Sequence, residues 1–400
     1  MWGVAEERAD EWLERENVFR ILRGRVILVK AKGIRGRMGD PSRHRQKPGK
    51  RLLMKKRPTI RDVAALAGVS IATVSKFINS TQRFTAGVER KIQAAIDELE
   101  YHSNPLARSM ITGKTGAVGV AILDISNPHF TNIVKGANRV ALEHGYNLLF
   151  VDTEESQARE DELLIALSRR VDGLIVSTRM PEEQLHRVLG FGKPVVFSGR
   201  PAPKGSPSIA VDAYAAAYMI GELLVKQGHR NIAYAGFAPA RPDTERMRGL
   251  SECLQTHGLP LTRFEVRGPT IVEGEQVCAG IVLRKDRPDA VVCYNDMVAI
   301  GFMSVAKSLG ISIPDDMSVV GIDNIPFGRF TSPALTTVDT QSERLGEEGM
   351  RMLFREIAGE QTSEAGHVLI EPRLVMRDST RVRHSEAAAA SIAKARKRAR

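Results

Sequence analysis

Thr59-Ile-Arg-Asp-Val-Ala-Ala-Leu-Ala-Gly-Val-Ser-Ile-Ala-Thr-Val-Ser-Lys-Phe-Ile-Asn79 reads as two short helices and the break between them. Thr59 is placed to cap the first helix. Asp62, three residues on, is positioned to return a hydrogen bond to that cap and to meet the positive end of the helix dipole. Val63, Ala64, Leu66 and Ala67 are expected on one apolar face. Gly68 supplies the left-handed residue that ends a helix, Val69 returns to the core, and Ser70 caps the second helix. That helix carries Ala72, Thr73, Ser75 and Lys76 on one side and Val74, Phe77 and Ile78 on the other. A third helix is expected with Thr85 as its cap and Val88, Ile92, Ile96 and Leu99 at helical spacing. Three short helices around one apolar centre form a helix-turn-helix head, whose second helix is sized for a DNA major groove. The alternative is an ordinary helical hairpin. Cap, glycine break and second cap all agree with the DNA-binding geometry.

Charge is distributed to match. The chain of 400 residues has a net charge of +11 and 42% apolar content, enough for roughly two to three domains with real cores. Residues 1–57 hold 17 Lys/Arg against 7 Asp/Glu, and residues 381–400 hold 7 against 1. Residues 117–380 hold 27 against 34. The basic ends suit a polyanion and the acidic body suits something else. Cys253, Cys278 and Cys293 are widely spaced and in no CxxC arrangement, so they read as small buried apolar residues, with no disulfide framework and no metal site. No run approaches the roughly 18 apolar residues needed to cross a bilayer. The acidic first turn and short apolar Val26-Ile27-Leu28-Val29 do not make a secretion signal. The expectation is a cytoplasmic protein with no membrane partner.

The chain is divided as follows. Residues 1–56 are expected to be a disordered basic extension, rich in Arg and Gly, with Met54 resembling a natural start. Residues 57–102 form the head. Residues 103–116 hold a short helix from Pro105 and a polar linker. Within it, Gly113-Lys114-Thr115 is no phosphate loop, because Arg108 stands where the first glycine is needed. From Ala117 apolar runs alternate with amphipathic stretches. Strands are expected at 117–123, 147–151, 173–176, 194–197, 232–235, 290–293 and 318–322. Helices are expected at 130–144, 160–169, 213–227, 246–257 and 297–309. This alternation predicts an α/β body of parallel, doubly wound sheets in two lobes, about 117–211 and 212–338, with crossovers near 211 and 338 and a late return up to 380. Ligand groups then belong at the carboxyl ends of the strands, in the cleft. Residues 381–400 read as a disordered basic tail without leucine heptads, which predicts a dimer with no tetramer-forming coiled coil.

Several motifs give these parts a family likeness. They are Thr59–Asn79, Tyr101-x-x-Asn-x-x-Ala-Arg-Ser, Asp124-Ile-Ser-Asn-Pro-His-Phe130 and Arg170-Val-Asp-Gly-Leu-Ile175. Gly228-His-Arg-Asn-Ile-Ala233, Asn295-Asp-Met-Val-Ala-Ile-Gly301, Pro314–Asp323, Ser332–Val338 and Pro372-x-Leu-Val-x-Arg-x-Ser379 complete the set. In this order, over residues 57–380, the chain resembles the LacI/GalR family of bacterial transcription regulators.

The resemblance implies a body folded like periplasmic sugar-binding proteins, acting as a homodimer on near-palindromic double-stranded operator DNA, most commonly as a repressor. It implies base reading by Ile71, Ala72 and Lys76, with Thr73 and Ser75 on phosphates. Thr59, Ser70 and Asn79 complete the DNA-binding set. Lys76 stands where the family commonly has Arg, so the bidentate fork is replaced by a point charge. Asn104 to Met110 matches the hinge helix, with Asn104 and Ala107 at the DNA and Met110 in place of the family's Leu wedge in the minor groove. For the effector it implies Asn127, His129, Phe130, Arg246, Asn295 and Asp323, a set suited to a sugar or sugar acid. Asp296 is expected to cap the helix after it, and Glu275 falls near a family aromatic that stacks on the ligand. No cofactor is implied.

A solute-binding protein built on the body alone is disfavoured by the head. An enzyme finds no nucleophile elbow, complete phosphate loop, His-Glu-x-x-His or dinucleotide glycine pattern to support it.

Overall fold

The structure, a computed structural model, describes residues 58–79, 82–101, 113–203, 205–360 and 366–382. The hinge positions Asn104, Ala107 and Met110, the extension before residue 58 and the tail from residue 383 lie outside the described residues. The chain divides into two compact units at Tyr101.

The head consists of α1 (Ile60–Ala67), α2 (Ile71–Ile78) and α3 (Ala86–Glu98). The Asp62 carboxylate accepts hydrogen bonds from the Thr59 amide at 2.7 Å and the Thr59 hydroxyl at 2.8 Å. Gly68 takes φ 65°, ψ 36° and its N–H closes α1, a conformation that glycine adopts at little cost. Ser70 Oγ accepts from Thr73 N at 3.0 Å and starts α2. Val63, Ala64, Ala67, Val74, Ile92 and Ala95 make the core, flanked by Phe77, Ile78, Val88 and Leu99. Each fully buried Val or Ile contributes about 1.5–3 kcal/mol. Two expectations are corrected. Leu66 is 47% exposed, because at 100° per residue it falls well outside the arc spanned by Val63, Ala64 and Ala67. Thr85 occupies the cap position of α3 without a side-chain cap bond. The Glu89 carboxylate accepts from Phe84 N instead, at 3.1 Å.

Lobe 1 is built on a six-stranded sheet. Its strands are β1 (Ala117–Ile122), β2 (Asn147–Asp152), β3 (Leu174–Ser177), β4 (Val195–Ser198), β5 (Ser208–Val211) and the late β11 (His367–Ile370), in the order β11-β5-β4-β3-β1-β2, with every pair parallel. Lobe 2 repeats the plan with β6 (Ile232–Gly236), β7 (Leu261–Glu265), β8 (Ala290–Cys293), β9 (Ser318–Asp323), β10 (Thr336–Asp339) and β12 (Arg373–Val375). Their order is β12-β10-β9-β8-β6-β7, antiparallel only at β10–β12. Central strands such as Ala117-Val-Gly-Val-Ala-Ile122 are buried on both faces, as parallel sheets require.

Helices cover both faces. In lobe 1, α4 (Pro128–Glu143) and α11 (Ser342–Ala358) share one core with Val118, Val120 and Ile122, while α5 (Gln157–Ser168) and the short α6 (His186–Leu189) pack on the other face. In lobe 2, α9 (Ile271–Val282) and α10 (Asp296–Ser308) pack over Ala233 and Ala235. The opposite face, with Ile232 and Tyr234, is covered by α7 (Ala213–Lys226) and α8 (Arg241–Thr256). The odd–even division along β6 is the two-residue alternation of a strand. At the α4–α11 crossing, a Cβ on Gly136 would lie 1.9 Å from Glu343 O and one on Gly346 would lie 2.0 Å from Ile133 O, so each helix uses a glycine to let the other in. Cys253, Cys278 and Cys293 are buried and unpaired with one another.

The chain passes between the lobes three times, from β5 to α7, from β10 to α11 and from β11 to β12. No helix among the described residues is long and apolar enough to cross a membrane.

Candidate DNA-reading helix and effector cleft

On the head, α2 presents Ile71, Ala72 and Lys76 to solvent, with Thr73, Ser75 and Asn79 half-buried beside them. Ile71 is 45% exposed, although it is a large apolar residue. Nothing in the small core needs it, and the methyl of a thymine is a fitting contact. Lys76 Nζ donates to Gln82 Oε1 at 3.0 Å. Thr59 and Ser70 are committed to capping. Asn79 Nδ2 donates to Ser75 O at 2.9 Å and closes the last turn of α2.

In the body, the six residues expected at the effector site come together in one cleft between the lobes. The cleft encloses about 630 Å³ of empty space, part of it open to solvent. Asn127, His129 and Phe130 come from the start of α4, Arg246 from α8, and Asn295 and Asp323 from the ends of β8 and β9. Asn127 Oδ1 accepts from His129 N at 3.0 Å and caps α4. Asn295, only 1% exposed, accepts from Val298 N and donates to Pro269 O. Asn295 is therefore the cap of α10, and the expectation that Asp296 plays this part is corrected. The Asp296 carboxylate instead turns inward, accepting from Thr337 Oγ1 at 2.5 Å and Ile325 N at 2.8 Å. Phe130 belongs both to the lobe 1 core and to the cleft wall. Glu275 is exposed on α9 and is not among the lining residues; Pro269 is the nearest lining residue in sequence.

The electrostatics are set by burial. His129 Nδ1 stands 3.5 Å from Asp323 Oδ1. Burial, followed by the Arg246 and Arg179 cations, pushes the imidazole down to about 3, so this contact joins a neutral ring to the carboxyl. Burial pushes Asp323 up to about 7 against the pull of Arg246. Asp296 is pushed up to about 7 by burial and then by Asp323. Arg246 donates to Tyr294 O, and its guanidinium lies 4.5 Å from the Tyr294 ring centroid.

Four functional candidates were not legible as such in the sequence. Arg179 follows β3 and makes a two-pronged pair with Glu155 at 2.6 and 2.8 Å. Arg200 follows β4, Arg241 opens α8, and Tyr294 ends β8. The strand-end rule that picks out Asn295 and Asp323 applies equally to Arg179, Arg200 and Tyr294. Arg241 escapes because α8 begins at Arg241, five residues before the expected start at Arg246.

A helix-turn-helix head joined in one chain to a two-lobed binding body defines a class, the ligand-responsive DNA-binding regulators. Residues 59–104 match the bacterial regulatory proteins of the lacI family, and residues 222–380 match a periplasmic binding protein-like domain. The HTH-type transcriptional repressor PurR of Yersinia pestis bv. Antiqua (strain Antiqua) is 32% identical over 80% of this chain and 96% of its own. The PurR repressor of Serratia proteamaculans (strain 568) is 31% identical with the same coverage. Among solved structures, the lac repressor dimer bound to operator and the anti-inducer ONPF aligns with a TM-score of 0.74 and 26% identity, covering 81% of this chain and 99% of that one. The transcriptional regulator CelR in complex with cellobiose aligns with a TM-score of 0.59 and 27% identity, covering 81% and 100%. The chain belongs to the lacI family of bacterial regulatory proteins, and it is a DNA-binding transcriptional repressor.

Proposed function

We propose that this repressor binds a near-palindromic operator as a homodimer, and that a small polar metabolite, a sugar or sugar acid, controls its affinity from the interlobe cleft. Convergence of His129, Phe130, Arg246 and Asp323 from both lobes on one cavity carries the reading. A carboxyl and a guanidinium suit vicinal hydroxyls, and an aromatic edge suits the apolar face of a sugar ring. CelR, with cellobiose, and the lac repressor, with ONPF, share the fold at this level of identity. In the head, Ile71, Ala72 and Lys76 read bases, and Thr73 and Ser75 meet phosphates. Effector binding biases one relative setting of the lobes, and a coupling of about 1–3 kcal/mol changes operator affinity roughly 5–150-fold.

The test starts from genomic footprinting to obtain the operator. Operator affinity of the full chain is then measured with neutral sugars, sugar acids and nucleobases, for wild type and Asp323→Asn. A sugar-class compound that shifts wild type and leaves Asp323→Asn unresponsive, with its operator binding retained, is the expected outcome. A response to a planar nucleobase alone replaces the sugar reading.

A further inference from the structure

Arginines dominate the cleft. Arg179, Arg200, Arg241 and Arg246 line it against two carboxylates, Glu155 and Asp323. Arg179 is matched by Glu155. Arg200 is not matched in this way. It is 7% exposed, its Nη1 donates to Met180 O at 2.5 Å, and its Nε is buried with no acceptor among the described residues. A buried guanidinium needs an anion or a full set of acceptors. The buried carboxylate that acts on Arg200, Glu160, already accepts from Thr178 Oγ1 and Arg179 N. Burial lowers the Arg200 pKa. Glu182 and Glu160 pull the other way, but Arg241 and Arg179 add to the burial effect.

Arg241 opens α8, a helix of 16 residues, and thus puts a cation at the helix end that favours anions. Arg200 sits on lobe 1 and Arg241 on lobe 2. One negative group between them would relieve their repulsion, accept from the orphaned Nε and tie the lobes together.

We propose that Arg200 and Arg241 form an oxyanion subsite, which takes a carboxylate or phosphate carried by the effector. This rests on the cleft being the effector site. The subsite makes the effector an acid and makes the anion itself the link that sets the lobes.

The experiment measures thermal unfolding of the full chain with inorganic phosphate or with acetate, at constant ionic strength set by chloride. Wild type, Arg200→Gln and Arg241→Ala are compared, the last being an exposed position that keeps the fold testable. Phosphate or acetate should raise the wild-type midpoint, and each variant should need about 10-fold more anion for the same rise, the loss of one charge-assisted contact. The oxyanion that acts at the lower concentration tells phosphate from carboxylate. An adventitious ion only, with equal effect on wild type and both variants, overturns the proposal, as does no effect on wild type. Operator affinity is then measured with D-glucose against D-glucuronate and with D-ribose against D-ribose 5-phosphate. Release by a neutral sugar while the anions are inert overturns the subsite and leaves the effector reading standing. Anions that fill the subsite while no compound moves operator affinity support the subsite and strike the effector reading.

Discussion

Lys76 is the one ammonium group among the three residues proposed to read bases. It donates to Gln82 at 3.0 Å, which steadies a long side chain that would otherwise lose rotamer entropy on docking. Lys76→Ala should weaken operator binding by about 1–3 kcal/mol while cleft ligands bind unchanged. Fluorescence anisotropy on operator and on random duplex decides the matter, since an equal loss on both makes Lys76 a phosphate contact. Asp323 is tested by pH. Its carboxyl titrates at about 7 when folded and near the ordinary carboxylate value when unfolded. The folded state therefore holds the extra proton between about pH 4 and 7. This stability is present at low pH and is lost as pH rises through 7. Asp296 acts in the same direction and His129 in the opposite one, because its depressed value costs stability as pH falls below 6.5. The facing cations are Arg246 for Asp323, Arg246 and Arg179 for His129, and Arg377 for Asp296. Asp323→Asn should gain in melting temperature relative to wild type between pH 5 and pH 8; a constant difference would contradict the shift. At this scale much of the site was legible, since polar residues ending apolar strands can be read directly. Arg200 was hidden because a lone Arg after Ser198-Gly199 looks like a solvated turn, and only the folded cleft shows that its charge is buried.

Elements were legible where local chemistry alone forms them. Ser70, Gly68 and the Thr59–Asp62 pair act within a few residues of one another, so the head followed from the chain itself. Among the body's interior strands, β1, β3, β4, β6, β8 and β9 followed from continuous apolar runs, while β5 and β10 lay outside the reading. The edge strand β2 followed too, from its apolar Leu148–Val151, but β7, with Thr262, Arg263 and Glu265, is half polar and did not. β11 and β12 are short, and each takes its place only by adding to a sheet made earlier in the chain. Helix α9 lay outside the reading because Gly274 divides it, and that glycine makes sense only against α10, where a Cβ would lie 2.1 Å from Val298 O. The same packing gives a prediction for α11. Gly346→Val must push its side chain into the Ile133 carbonyl, and it should destabilise the body by about 1–3 kcal/mol or more. Chemical denaturation of the body should show this loss while the head's helical signal is unchanged; unaltered stability would mean that the crossing is looser than described.

Over the whole molecule, exposed apolar groups bear on self-association. Ile125, Leu149 and Phe150 lie exposed along the β2 side of lobe 1, and Val272 and Leu283 are exposed on α9 of lobe 2. Eleven residues apart on one helix, these two share a face. A homodimer that uses these positions would cover exposed apolar groups on both lobes. Sedimentation equilibrium should give a dimer at micromolar concentration, and Phe150→Glu with Leu283→Glu should shift it to monomer. A stable tetramer, or a double variant that stays dimeric, would refute that arrangement.

The third passage between the lobes has a consequence for how the protein is made. β11 completes the sheet of lobe 1 and β12 that of lobe 2, and both lie after α11. Ser379, a few residues further on, is fully buried, accepts from Thr336 N and donates to Val319 O. A ribosome that has delivered residues 117–211 has thus finished neither half, and lobe 1 waits for nearly all of lobe 2 to emerge. A premature stop just after Ala358 would strip one border strand from each half at once, so a short C-terminal truncation ruins the entire receptor.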